Sequence, residues 1–148
     1  MLPTNEGLFS SLFKMSLLPK AADEFRSPEY WDQFFDKVGN EAFEWFVCSC
    51  VSNEPKFYLC RYSDFVDLAS ILCKYIKPRD EVLVIGCGNS TLSSDLYDTG
   101  INNISNIDLS EKVIKQMKKQ NEKTREKMKW LQMDARQVRH EEKSCFSF

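Results

Sequence analysis

The sequence has little of what would settle its chemistry at a glance. It holds a single histidine, His140, and its six cysteines (Cys48, Cys50, Cys60, Cys73, Cys87 and Cys145) form no C-x-x-C pair. That spacing argues against a zinc site, so no metal is expected. A disulfide framework is not expected either, because apolar residues make up 43% of the chain and recur in regular periods; reduced thiols and a cytoplasmic setting are expected. Charge of one sign is not in excess: 20 Lys and Arg stand against 22 Asp and Glu, for a net charge of −2. No global basic field draws such a chain to nucleic acid or an anionic membrane. No apolar run reaches the roughly 18 residues a membrane span needs. Leu8, Phe9, Leu12, Phe13, Leu17 and Leu18 are interrupted by polar residues without a clear cleavage site, which argues against a signal peptide. No internal repeat is present. A chain of 148 residues is long enough for one domain with its own core.

Periodicity supplies most of the fold reading. Residues 1–24 read as a flexible lead. Ser27-Pro28-Glu29 is a helix start, with a capping hydroxyl, proline in the first turn and an acid behind it. Trp31, Phe34, Phe35 and Val38 follow at helical spacing, and Gly39 suits the stop. Ala42, Phe43, Trp45 and Phe46 suggest a second short helical piece, and residues 46–61 read as an inserted loop. Asp64 then caps a predicted helix to about Ile76, ended by Pro78.

From Glu81 the pattern alternates. A buried-type strand over 81–85 leads into the turn Gly86-Cys87-Gly88-Asn89-Ser90 and a short helix over 91–98. A second strand over 104–108 leads into a long helix capped by Ser110, and a third strand runs over 128–133 to Asp134. Strand, helix, strand, helix, strand is the N-terminal half of an α/β, Rossmann-like doubly wound sheet of about three parallel strands. The outer face of the long helix carries Lys115, Lys118, Lys119 and Lys123, interleaved with Glu122 and Glu126, and reads as a solvated face. After Val138 the pattern stops and no fourth strand is visible; residues 139–148 read as a divergent tail.

Three strand ends carry polar groups where a nucleoside would need them. Gly86 permits a sharp turn, and Gly88 lets backbone come close to a ligand. Dinucleotide-binding loops need a third glycine three residues on; here Thr91 stands there, so the nicotinamide fingerprint fails. A plain tight connection also begins with G-x-G. Asp108, 22 residues after Gly86, has the spacing of an acid that accepts from both ribose hydroxyls. It is also placed to cap the next helix, in competition with Ser110. Asp134 is placed to accept from an adenine amino group, and the N–H of Ala135 to reach a ring nitrogen; a strand-end turn residue is the alternative. Taken together the three ends point to S-adenosyl-L-methionine, whose sulfonium would also gain from a nearby aromatic wall.

Long blocks of the chain resemble the methyltransferase-like proteins that modify translation elongation factor 1-alpha, and among them the lysine-modifying N-terminal domain of the dual members. The blocks are Met15-Ser16-Leu17-Leu18-Pro19-Lys20, Tyr30 to Phe35, Ala42 to Trp45, Lys74 to Arg79, Val82 to Ser90, Asn106 to Ser110 and Val113 to Met117. The resemblance implies a seven-strand, S-adenosylmethionine-dependent protein-lysine methyltransferase with elongation factor 1-alpha as its protein substrate. It also implies cofactor contacts at Trp31, Phe35 (a Tyr in some relatives), Trp45, Gly86, Asp108, Leu109, Asp134 and Ala135.

Three departures set further expectations. Residues 1–14 precede the family start, residues 46–61 interrupt the pattern, and the chain leaves it near Arg139, before the fourth strand and the acceptor side. In the family strand order 3-2-1-4-5-7-6, this leaves Val82 to Ile85 as an unpaired apolar edge, with marginal stability and weak or no catalysis expected. The contrasting expectation is a catalytically inactive chain that acts only as an interaction module.

Overall fold

The Ser27 hydroxyl accepts the Tyr30 N–H at 3.1 Å, and Pro28 occupies the first turn, where no backbone donor is needed. Helix α1 (Pro28–Val38) therefore starts where the capping signal places it, and it ends at Gly39, whose φ is +67°. In this computed structural model the described residues are 17, 19–42, 46–48, 59–61, 65–138 and 145–147. The remaining elements are β1 (Phe46–Cys48), β2 (Leu59–Arg61), α2 (Phe65–Tyr75), β3 (Val82–Ile85), α3 (Leu92–Asp98), β4 (Ile104–Asp108), α4 (Glu111–Asn121), β5 (Lys129–Gln132) and β6 (Cys145–Ser147). Short 3-10 turns cover Glu24–Arg26 and Ala135–Gln137.

Strands β3, β4 and β5 are parallel, with Val84 beside Asn106 and Asn106 beside Trp130. The chain steps in one direction through β3, β4 and β5, so right-handed crossovers put α3 and α4 on one face of the sheet. On that face Val82, Val84, Ile104 and Trp130 pack with Phe34, Phe35, Leu72, Leu96, Val113 and Met117 into one core. Asn106 is fully buried in it; its amide accepts from the Ser93 hydroxyl and donates to the Lys129 carbonyl at 3.2 Å, so its polar atoms are satisfied. The other face grades from buried Leu83 and Ile107 to Leu131, which is 46% exposed.

Two expectations are corrected. The sheet order is β5-β4-β3-β6, and β6 lies parallel to β3 with Leu83, Val84 and Ile85 opposite Cys145, Phe146 and Ser147. A fourth strand is therefore present in the fourth place, and the expected open edge of β3 is paired along three of its four residues. Three residues are too few to show a period-two pattern, so this strand carries no signal of its own in the sequence. The expected loop over 46–61 contains β1 and β2, paired antiparallel from Phe46 opposite Arg61 to Cys48 opposite Leu59. Phe46 thus belongs to a strand and not to the short helical piece expected after Ala42. Asp64, expected as a cap, lies outside the described residues.

Candidate functional site

The site is built where β3, β4 and β5 end. Gly86 and Gly88 have φ of +67° and +49°, the left-handed region that glycine enters without steric cost. This sharp reversal sends the chain from β3 into α3. Its backbone donors are used internally. The N–H groups of Gly86 and Cys87 both donate to the Ile107 carbonyl, at 2.9 and 3.1 Å. Gly88 N–H donates to Asp108 Oδ2 at 2.8 Å, Ser90 N–H to the Cys87 carbonyl at 3.3 Å, and Leu92 N–H to Ser90 Oγ at 3.1 Å. A loop that holds pyrophosphate must present such donors outward. These point into the loop itself, which agrees with the failed third glycine.

Asp108 is the hub of the arrangement. It is buried, with Oδ2 on Gly88 N–H and Oδ1 on Ser110 N–H at 2.9 Å. Burial pushes its carboxyl above the ordinary carboxylate value, and the charge of Asp32 adds to this; the backbone donors of Ser110, Gly88 and Leu109 pull the other way. A carboxylate offers about four lone-pair sites, so acceptor capacity remains beyond these backbone bonds. The capping question is settled by Ser110, whose hydroxyl accepts Val113 N–H at 3.2 Å. That hydroxyl also donates to Asp32 on α1, and Lys112 N–H reaches the same Asp32 oxygen at 3.2 Å. Helix α1 is thereby tied to the strand end that carries Asp108.

Helix α1 brings aromatic rings to the turn. Phe35 is buried, and its ring edge lies 3.4 Å from where a Cβ on Gly88 would sit. Trp31 is half-buried, stacks at a tilt on Phe35 with ring centroids 6.4 Å apart, and donates its indole N–H to the Phe25 carbonyl at 3.0 Å. Trp45, the third aromatic implied by the resemblance, lies outside the described residues. Cys87 is buried in the turn, and burial raises its thiol well above the ordinary value, so it stays protonated and unreactive.

The β5 end is joined to the same edge, since Met133 N–H donates to the Asp108 carbonyl at 2.9 Å. Leu109 is half-buried between the two ends, and its carbonyl accepts from Gln132 Nε2 at 3.2 Å. Asp134 follows, but its carboxylate is occupied. Arg136 Nε lies 3.0 and 2.9 Å from its two oxygens, Arg136 Nη2 also donates to Oδ2, and the Arg136 N–H lies at 2.9 Å. These bonds hold the Asp134 carboxyl at about 2. Ala135 opens the exposed 3-10 turn between them.

Two residues that matter here carried no signal of their own in the sequence. Asn89 is buried and donates from Nδ2 to the Glu41 carbonyl at 2.7 Å, pinning the turn to the segment after α1. Asp32 does the same from the other side. Their partners lie 48 and 78 residues away in the chain, beyond any local pattern. A shallow cleft lined by Glu81, Asn103, Ser105, Lys127 and Lys129 sits at the opposite end of the sheet, where the strands begin, and has no part in this site. No helix among the described residues is long and apolar enough to cross a membrane.

Comparison with known proteins agrees with this geometry. The family described as "Methyltransferase domain" matches residues 82–147, from the start of β3 to the end of β6. The chain is 47% identical over 132 residues to the eEF1A lysine and N-terminal methyltransferase of Xenopus laevis, covering 89% of this chain and 17% of that protein. It is 48% identical over 124 residues to the Homo sapiens protein of the same description, covering 84% of this chain and 16% of that protein. EEF1A lysine methyltransferase 4 of Mus musculus is 32% identical over 101 residues, covering 68% of this chain and 33% of that protein. The chain thus spans only about a sixth of the length of the first two relatives. The glycine turn closed on Asp108, the sheet order and these matches together place residues 82–147 in the methyltransferase-domain family, within a chain similar to those relatives.

Proposed function

We propose that this chain binds S-adenosyl-L-methionine across the ends of β3, β4 and β5, as the cofactor-binding part (about residues 25–138) of a cytoplasmic protein that methylates lysine on elongation factor 1-alpha. The observation that carries the reading is the Gly88–Asp108 bond at 2.8 Å. It turns the Gly88 N–H inward, away from any phosphate, and leaves the buried carboxylate with acceptor capacity for a neutral diol. In this reading Asp108 orients the ribose hydroxyls and Leu109 lies against the adenine face. Asp134 and the Ala135 N–H meet the adenine edge. Gly86 lets the amino-acid chain approach the backbone, and Trp31, Phe35 and Trp45 wall the cationic sulfur. When bound, the cofactor supplies an electrophilic methyl group for an amine. The work of these residues is to orient it and exclude water. The substrate comes from the descriptions of the relatives and from the resemblance.

Titration calorimetry of the 148-residue chain with S-adenosylmethionine, S-adenosylhomocysteine and NAD tests the cofactor site. Heat of binding is expected for the first two and none for NAD. Binding of NAD alone would overturn the reading, and so would silence from all three. Ligand binding to the folded state should also raise the melting temperature in a concentration-dependent way.

A further inference from the structure

Arg136 stands where the proposed site needs a hydrogen-bond acceptor. Its guanidinium grips the Asp134 carboxylate through Nε at 3.0 and 2.9 Å and through Nη2, while the arginine side chain itself is 71% exposed. A guanidinium only donates. The 6-amino group of adenine donates as well, and it competes with Arg136 for the same two oxygens. A 6-oxo purine has the opposite need at that position, an acceptor that meets a donor. We infer that Arg136 is a specificity-determining residue of the nucleoside site. It masks Asp134, weakens the hold on adenine and narrows the preference of the site for adenine over hypoxanthine.

The inference rests on the proposed cofactor site. Its geometry is independent of the glycine turn, because Asp134 and Arg136 are two residues apart on one exposed 3-10 turn. Arg136 is exposed and is not a member of the core cluster, so its removal is expected to leave the fold intact. An exposed ion pair of this kind modulates an affinity by no more than about fivefold. Salt screens such a pair, so the masking weakens as ionic strength rises.

The test compares S-adenosylhomocysteine with S-inosylhomocysteine, its 6-oxo analogue, on the full chain, for the wild type, Arg136→Ala, Asp134→Asn and the double variant. Arg136→Ala is expected to bind the adenosine compound about three- to fivefold tighter without tightening on the inosine compound, so the adenine-to-hypoxanthine ratio rises by the same factor. On the Asp134→Asn background the arginine change is expected to leave the ratio unmoved. A general effect on folding would shift both ligands together and leave the ratio alone. If both compounds bind but Arg136→Ala does not change the ratio, the masking role is wrong and the cofactor site stands. If neither compound binds any of the four proteins, the cofactor site fails and the inference fails with it.

Discussion

Asp108→Asn is expected to lower the stability of the chain by about 2–3 kcal/mol and to remove binding of both sulfur nucleosides. The change is nearly isosteric, so packing does not account for the loss. Each Asp108 oxygen accepts one backbone N–H, from Gly88 and from Ser110. Asparagine keeps one acceptor and turns an N–H₂ toward the other donor. One buried amide is then left unsatisfied and faces a second donor, which costs about 1–3 kcal/mol for the group. Either flip of the side chain fails, because both contacts are donors. Whichever amide is abandoned, the link between the glycine turn and the α4 cap is cut. Thermal melting at neutral pH and the same calorimetric titration measure the two effects. A melting temperature within a degree or two of wild type would show that Asp108 is not the hub.

The pH dependence of that difference has a defined sign. Burial raises the folded-state carboxyl of Asp108 above its unfolded value, with the Asp32 charge adding to the effect. A group raised in this way favours the fold fully below its unfolded pKa, and that contribution is lost as pH rises through the folded pKa. The gap between wild type and Asp108→Asn is therefore expected to be widest near pH 4 and to narrow as pH rises through the folded value. The depressed Asp134 carboxyl contributes the opposite slope, below the ordinary carboxylate range, and it cancels because both proteins carry it. Denaturant unfolding of the pair between pH 4 and pH 8 reads the sign directly, and a gap that widens with pH would reverse it.

The long elements were legible because they are long. Ser27, Pro28 and the Phe34–Val38 stripe announce α1, and the cap and stripe of α4 repeat the logic with Ser110, Val113 and Met117. The site was legible where it follows one chain segment, from Gly86 to Asp108 to Asp134. Strands of three residues were not, because β1, β2 and β6 exist through backbone ladders with distant segments and not through a pattern of their own. Contacts such as Asn89 to the Glu41 carbonyl and Ser110 to Asp32 arise only once α1 has folded onto the sheet ends. For Asp134 the sequence offers both an adenine contact and a strand-end turn residue, and its pairing with Arg136, an acid two residues before a base, belongs to the second. One carboxylate cannot be fully committed to both.

Phe35→Ala is expected to be the most damaging single change in the aromatic layer, at about 3–5 kcal/mol and on the order of 10 °C in melting temperature. Phe35 is 5% exposed, stands edge-on to Phe34 with centroids 5.2 Å apart, and closes the space in front of Gly88. Alanine leaves a cavity that α1 cannot collapse into, because Asp32 and Asn89 hold the segment at both ends. Phe35→Leu keeps much of the volume and is expected to cost about 1–2 kcal/mol. The same ring sets the meaning of a change at Gly88. A Cβ there meets Phe35 Cζ at 3.4 Å, an ordinary contact, while the φ of +49° penalises any side chain. Gly88→Ala is therefore expected to cost about 1–2 kcal/mol through the backbone, and to cost the same when Phe35 is already leucine. If its cost vanished in the leucine background, steric pressure from the ring would replace backbone strain as the reason this position is glycine. A Phe35→Ala protein that melted with wild type would remove the ring from the core altogether.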